Sequence, residues 1–244
     1  MPDDLPSFRH GFSRGDELWL YEQPTPYYRR HLLLHEGTHG FMNSMLGNCG
    51  PPWYMEGMAE LFATHAYGDG RLTMRHFPVR REEVPMLGRI KLVQEAVASQ
   101  RGLSLPQILA YSNRAHVENE PYAWCWAVAS LLDNHPRYRQ RFRRLDKYVK
   151  QPDFTERFRK TFRNDWGRMI DEWRLFIGTL EHGHDIARTA IDEMVATQEE
   201  LIPAAKAWIK ANPEAAVQPW DQKGFRYPGG DALHPKVRQM IQVS

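Results

Sequence analysis

Apolar residues alternate with polar ones only near the start of the chain, and further along they recur at helical spacing. The alternation predicts a small β element, with one short strand at Ser7–Phe12 and a second at Glu17–Tyr21. Pro24 and Pro26 then interrupt the chain. We therefore expect a helix to follow them, from about Tyr27 to Leu46.

The rest of the pattern is almost wholly helical. After a loop rich in glycine and proline, the apolar spacing predicts a second helix from about Met55 to Tyr67, followed by an extended segment at residues 71–77. Further helices are predicted at about residues 84–100, 104–112, 121–133, 137–149, 153–164, 166–181 and 185–210. The expected fold class is α+β and mainly helical, with one domain over residues 1–183 and a helical C-terminal extension and tail over residues 184–244.

Composition narrows the class of protein without indicating a partner. Hydrophobic residues make up 42% of the 244 positions and charged residues 25%, which is ordinary for a globular protein with a sizeable core. The net charge of +2 gives no reason to expect a nucleic-acid partner, and the basic stretch at residues 137–150 fits a solvated helix face. No run approaches the ~18 consecutive apolar residues of a membrane span, so none is expected.

The start of the chain and its two cysteines bear on location and redox chemistry. The opening MPDDLPSFRHG is acidic and polar, unlike a secretory signal, so we expect a cytoplasmic protein, although a fragment of an exported parent fits equally well. Cys49 and Cys125 share no metal-type spacing, and no disulfide is expected between them. Cys125 lies between two tryptophans in an apolar run and is interpreted as a core thiol. The oligomeric state stays open.

The first predicted helix contains HEGTH at residues 35–39, which places two histidines four positions apart. On a helix, His35 and His39 share one face and could bind one metal ion together. Glu36 lies roughly 100° round the helix axis, where it could deprotonate a water molecule at that metal. The alternative is an ordinary amphipathic helix whose histidines face solvent or satisfied core positions.

A catalytic zinc ion requires a third protein ligand beside the two histidines. The second predicted helix offers one, because WYMEGMAELF at residues 53–62 places Glu56 near its start. A helix–loop–helix connection of this length would bring Glu56 back antiparallel to the face that carries His35 and His39.

The two motifs together resemble those of the gluzincin zinc metallopeptidases, the clan of thermolysin and the aminopeptidases. Their second motif typically reads W-x-x-E-G-x-A, and WYMEGMA at residues 53–59 matches it. The resemblance implies one Zn²⁺ per chain, held by His35, His39 and Glu56. It covers the chain loosely as far as about residue 180, but its specific motifs are confined to these two segments.

Further roles follow from the same resemblance. Glu36 matches the general base, and Glu60, one turn after Glu56, matches an acidic residue that accepts a hydrogen bond from the first ligand histidine. The alternative for Glu60 is a surface glutamate. For the oxyanion, the aminopeptidase branch uses a tyrosine at a helix start, which Tyr122 resembles, whereas thermolysin uses a histidine, for which His116 is the candidate.

The activity implied is zinc-dependent hydrolysis of peptide bonds in a peptide or protein substrate. The strand at Ser7–Phe12 is the candidate edge for pairing with an extended substrate. The aminopeptidase motif G-x-M-E-N is absent from the sequence, which favours an endopeptidase. The alternative is a non-catalytic module that keeps zinc for stability within a larger assembly, although a purely structural site has no need of a base such as Glu36.

Overall fold

The computed structural model describes residues 10–14, 17–112 and 119–196, and its fold is α+β and mainly helical, as predicted. Within these ranges the β structure consists of two small antiparallel sheets of two strands each, both near the N-terminus. None of the described helices is both long and apolar enough to cross a membrane. Residues 197–244, which make up most of the predicted helical extension and tail, lie outside the described residues.

The N-terminal β element is a hairpin, as predicted, but its first strand lies further along the chain than the alternation indicated. β1 spans Gly11–Arg14 and pairs antiparallel with β2, Glu17–Leu20. The prediction of a strand at Ser7–Phe12 was therefore displaced, and its residues 7–9 lie outside the described residues. The pairing of Arg14 with Glu17 leaves two residues between the strands.

The first long helix, α1, spans Pro26–Phe41 and begins where the sequence predicted. Thr25 caps it, because its side-chain oxygen accepts a hydrogen bond from the backbone N–H of Tyr28 at 3.1 Å. A π-helical turn, Met42–Leu46, continues the helix to its predicted end. The next helix, α2, spans Pro52–Ala63.

The second helix ends earlier than predicted, and the chain enters a second hairpin. Residues His65–Gly68 form β3, which pairs antiparallel with β4, Arg71–Met74. Asp69 and Gly70 connect the strands with φ of 51° and 71°, and a two-residue type I′ turn requires positive values at both positions. The helical prediction for the last four residues was wrong because this turn and the strand pairing outweigh the local apolar spacing.

The remaining described helices follow the predicted order. The helix predicted at residues 121–133 is longer than expected, the one predicted at residues 185–210 is described only to residue 196, and the others are shorter. They are α3 Arg89–Ala98, α4 Leu105–Leu109, α5 Asn119–Asn134, α6 Arg139–Arg143, α7 Phe154–Thr161, α8 Trp166–Gly178 and α9 Ile186–Ala196. The helix predicted from residue 84 begins only at Arg89, because Met86 has a positive φ of 71° and interrupts it.

The helix predicted at residues 137–149 divides into α6 and a 3₁₀ turn, Arg144–Tyr148. Most of the apolar side chains of this basic stretch face the interior. Phe142 and Leu145 are buried, as is Tyr138, while Tyr148 is partly exposed. The change of helix type fits the change of apolar spacing, from four positions to three.

The core is centred on α5. Every side chain from Ala123 to Asp133 is buried, including Cys125, and both cysteines are free thiols, as predicted. α5 packs against α2, α3 and α8. A methyl group at Gly57 of α2 would lie 2.9 Å from the carbonyl oxygen of Cys125, so only glycine allows this approach. Gly57, the glycine of the W-x-x-E-G-x-A motif, therefore allows α2 to pack closely against α5.

Candidate metal centre

Buried polar side chains form a continuous cluster between α1 and α2. One face of α1 carries His31, His35 and His39, all buried. Glu56 of α2 lies next to His35 and His39. One turn further along α2, Glu60 lies next to His31, which is one turn nearer the start of α1 than His35. The two helices therefore run antiparallel, as predicted.

We call His35, His39 and Glu56 the outer group. The Nε2 atoms of its two histidines are 3.1 Å apart, and Oε2 of Glu56 lies 3.3 Å from that of His35 and 3.5 Å from that of His39. Three potential ligand atoms thus form a nearly equilateral triangle. This group could hold a metal ion.

We call His31, His35 and Glu60 the inner group, which could also hold a metal ion and lies deeper in the protein. Its atoms already have partners. Nδ1 of His31 lies 3.1 Å from the carbonyl oxygen of Ala63, and Arg89 donates to both Glu60 oxygens, from Nε and Nη2, at 2.8 Å each. A cation in the inner group would lie beside the guanidinium charge, so the outer group is the better metal site.

Glu56 and Glu60 favour a positive charge on His35, which lies between them. Burial disfavours a charged His35, but hydrogen bonds with Glu56 and Glu60 outweigh burial and raise its pKa to about 10. Burial also opposes the ionisation of Glu60, yet Arg89 and His31 hold the pKa of that carboxyl well below its usual range. The cluster therefore favours positive charge, and a metal ion that binds here displaces a proton.

The predicted base, Glu36, is buried where α1 meets the N-terminal hairpin. It lies so close to β1 that a methyl group at Gly11 would be 2.8 Å from its Cγ and 3.0 Å from its Oε1. The same methyl group would lie 3.0 Å from a side-chain carbon of Leu20 in β2. Only glycine at position 11 leaves the Glu36 side chain in its present place beside the outer group.

Tyr122 lies beside the outer group, at the start of α5. Its ring centroid is 5.8 Å from that of His35, and the two rings meet edge to face. Burial raises the pKa of Tyr122, and the negative charges of Glu56 and Glu60 raise it further. The phenol therefore keeps its proton and can donate a hydrogen bond. The competing candidate, His116, lies outside the described residues.

Glu60 is 1% exposed, which contradicts the alternative of a surface glutamate. Its Oε1 lies 3.1 Å from Nδ1 of His35, the contact that the resemblance implied. The sequence reasoning missed His31 and Arg89. His31 had a signal, since it precedes His35 by four residues on the same helix. Arg89 had none, because its partner Glu60 is 29 positions away.

A second polar cluster, the distal cluster, surrounds a small cavity between α5, α8 and α9. His135, Glu172 and Glu193 line this cavity, and Tyr138 donates a hydrogen bond to Glu172. Burial and the neighbouring Glu172 raise the pKa of Glu193 to about 7. Among the described residues, these side chains do not form a group of the spacing that a metal ion needs.

Comparisons with protein families, with curated proteins and with solved structures find no match for the chain. A functional proposal must therefore rest on the chain's own residues. Their main feature is the outer group, a set of nitrogen and oxygen ligand atoms with a buried glutamate and a protonated tyrosine beside it.

Proposed function

We propose that the chain is a zinc-dependent peptidase whose outer group holds the metal. The observation that carries the proposal is the spacing of the three ligand atoms, at 3.1, 3.3 and 3.5 Å. Zinc binds nitrogen and oxygen ligands at about 2.0–2.2 Å in a tetrahedral arrangement, whose corners lie about 3.3–3.6 Å apart. The triangle of His35, His39 and Glu56 is therefore close to the size that zinc requires.

The types of ligand also support zinc. Two imidazoles and one carboxylate make a ligand set that is common at catalytic zinc and that leaves one position for water or substrate. A purely structural zinc ion usually has four protein ligands, often with several cysteines. Cys49, although buried nearby, donates its thiol to Asn43 and the carbonyl oxygen of His39, and it is not among the ligand groups of the described residues.

Glu36 and Tyr122 provide the remaining parts of a hydrolytic mechanism. When bound, zinc would lower the pKa of a water molecule to about 7 and polarise the carbonyl group of a peptide bond. Glu36 would take the proton from the attacking water and later pass it to the leaving amine. The phenol of Tyr122 would donate a hydrogen bond to the developing oxyanion. No covalent intermediate is required.

The position of the N-terminal hairpin favours an extended peptide as the substrate. β1 lies against α1 beside Glu36, so a peptide segment that aligned with this hairpin would run past the base. The aminopeptidase motif that grips a free amino terminus is absent from the sequence. We therefore propose an endopeptidase.

The substitution Glu36→Gln tests the proposal by separating catalysis from metal binding. Glutamine has nearly the same shape beside Gly11 but cannot accept the proton. We expect the variant to retain about one zinc per chain by elemental analysis. We expect it to cleave a peptide library about 10²–10⁴-fold more slowly than the wild type, because general-base catalysis contributes about that factor.

The control is Glu156→Gln, which changes an exposed glutamate of α7 that forms an ion pair with Lys160 and should alter neither property. Cleavage by Glu36→Gln at the wild-type rate would contradict the role of Glu36. A wild-type chain that binds zinc but cleaves no peptide of the library would favour the non-catalytic, zinc-stabilised module instead.

A further inference from the structure

Arg89, the first residue of α3, is a buried arginine that makes a two-point contact with Glu60. Its Nε donates to Oε2 and its Nη2 to Oε1 of that carboxylate, both at 2.8 Å, and both residues are buried. Paired hydrogen bonds of this kind fix the plane of a carboxylate as well as its position, which a single ammonium group cannot do.

The carboxylate that Arg89 holds is in contact with the outer group. Oε1 of Glu60 lies 3.1 Å from Nδ1 of His35, while Nε2 on the other side of the same ring faces His39 and Glu56. The orientation of the His35 ring therefore depends on where Glu60 is held. Polar partners at the far nitrogen of a ligand histidine typically change metal affinity or activity by about 10–100-fold.

The same guanidinium also contacts the candidate oxyanion donor. Cζ of Arg89 lies 5.3 Å from the ring centroid of Tyr122, within the range of a cation–π contact. Tyr122 in turn contacts the ring of His35. One side chain of α3 thus touches a residue of α2 and a residue of α5, and both of these border the metal ligand on α1.

We propose that Arg89 is a positioning residue of the metal centre, acting on His35 through Glu60 and bracing the ring of Tyr122. The inference rests on the proposed function, since it assumes that the outer group binds zinc. It assigns to Arg89 no contact with metal or substrate. It also explains why a metal ion would occupy the outer group and not the inner one, because Arg89 occupies both oxygens of Glu60.

The substitution Arg89→Lys tests this role, because lysine keeps the charge and loses the two-point contact. The control is Arg143→Lys, at a more exposed arginine that also donates to both oxygens of a buried carboxylate, at 2.7 and 3.2 Å. That carboxylate belongs to Asp133, near the end of α5 and away from the outer group. Each variant is loaded with zinc, and the rate of zinc release to a chelator is measured beside its thermal midpoint.

We expect zinc release from Arg89→Lys to be about 10–100-fold faster than from the wild type, and release from Arg143→Lys to be unchanged even if both midpoints fall. Equal release rates for Arg89→Lys and wild type would overturn the proposal. So would an equal acceleration in Arg143→Lys, which would assign the effect to general loss of stability.

A double-mutant cycle with Glu60→Gln tests the route of the effect and remains usable if Arg89→Lys is only marginally stable. If Arg89 acts through Glu60, adding Arg89→Lys to Glu60→Gln should accelerate zinc release by less than about threefold, so the two effects are not additive. Additive effects would overturn the proposed route. A wild-type chain that binds no zinc would contradict the proposed function itself, which the first loading step reveals before any variant is compared.

Discussion

The two ends of α5 each border a buried cluster of histidine, glutamate and tyrosine. At its start, Tyr122 faces the outer group of His35, His39 and Glu56. Just beyond its end lies the distal cluster, which contains His135, Tyr138, Glu172 and Glu193. The residue types are alike, yet only the first cluster places its ligand atoms at the spacing of a metal group.

The difference lies in how each cluster neutralises its buried carboxylates. Near the start of α5, Arg89 neutralises Glu60, and the ligand atoms of the outer group converge so that a cation could neutralise Glu56. In the distal cluster the phenol of Tyr138 donates to Glu172, and the raised pKa of Glu193 means that a proton removes its charge. Buried carboxylates therefore do not indicate a metal by themselves, and the geometry of their neighbours decides.

The largest expected effect is on zinc content, and it distinguishes His39 of the outer group from His135 of the distal cluster. His39→Ala removes one of the three proposed ligands and should abolish stoichiometric zinc binding, because the two that remain would be too few to hold the ion. His135→Ala removes a histidine that is equally buried and should leave about one zinc per chain. Elemental analysis after gel filtration measures both.

Circular dichroism is the control for both histidine variants, because a chain that unfolds loses zinc for a trivial reason. Full zinc occupancy in a folded His39→Ala variant would contradict the ligand assignment. Loss of zinc from a folded His135→Ala variant would show that the distal cluster takes part in metal binding after all.

The next largest effect is on turnover, and it distinguishes Tyr122 from Tyr138. Tyr122→Phe should lower turnover by about 10²–10³-fold, the usual cost of removing one oxyanion donor, with zinc content unchanged. Tyr138→Phe should leave turnover unchanged but destabilise the fold by about 1–3 kcal/mol, since Glu172 loses the phenol that donates to it. Steady-state kinetics and urea unfolding measure the two quantities. Equal turnover for Tyr122→Phe and wild type would transfer the oxyanion role elsewhere, with His116 as the next candidate.

The triad of candidate ligands could be predicted from the sequence because its members lie at fixed spacing on two consecutive helices. His35 and His39 share a face by the helical repeat, and the short loop returns Glu56 to that face. Both helices were predicted within a few residues of their starts. Local spacing therefore sufficed for the relation between these three residues, which the structure brings together.

Other parts of the site depend on contacts between distant segments, which local spacing does not report. Arg89 reaches Glu60 only because α2 and α3 both pack against α5, and Gly11 matters only because β1 lies on Glu36. Of the β3–β4 hairpin, the sequence predicted the extended segment that contains β4 but not β3, since the apolar spacing of α2 continues past its true end.

A smaller effect tests whether the hairpin positions the base. Gly11→Ala would place a methyl group 2.8 Å from Cγ of Glu36, so that side chain must move. We expect turnover to fall by up to about 100-fold, the cost of a misplacement of about 1 Å, with zinc content unchanged. Gly68→Ala in β3 is the control, because a methyl group there has nothing within 4 Å. Similar turnover in both variants would show that β1 does not set the position of Glu36.

The smallest effect concerns the proton in the distal cluster. The pKa of Glu193 is raised from 4.5 to about 7 by burial and by Glu172. The folded state therefore holds this proton more tightly than the unfolded chain, and its contribution to stability is present below about pH 4.5 and is lost as the pH rises to about 7. Arg168 and Arg137 lower this pKa but do not offset the burial.

The substitution Glu193→Gln removes the titrating carboxyl group and keeps the shape of the protonated side chain. The free energy of unfolding of the variant should therefore lack the decrease that Glu193 causes in the wild type between pH 5 and pH 8. Because Glu193 is only partly buried, we expect the difference from the wild type to grow by about 1 kcal/mol over this range, after allowing for solvent screening. Urea unfolding with saturating zinc at both pH values measures it, and the pH dependence of the zinc ligands, which both proteins share, cancels in the difference. Glu156→Gln, at an exposed glutamate, should show the wild-type slope. Parallel pH profiles for Glu193→Gln and wild type would mean that no proton is held in the distal cluster, and the contrast between the two ends of α5 would then need another cause.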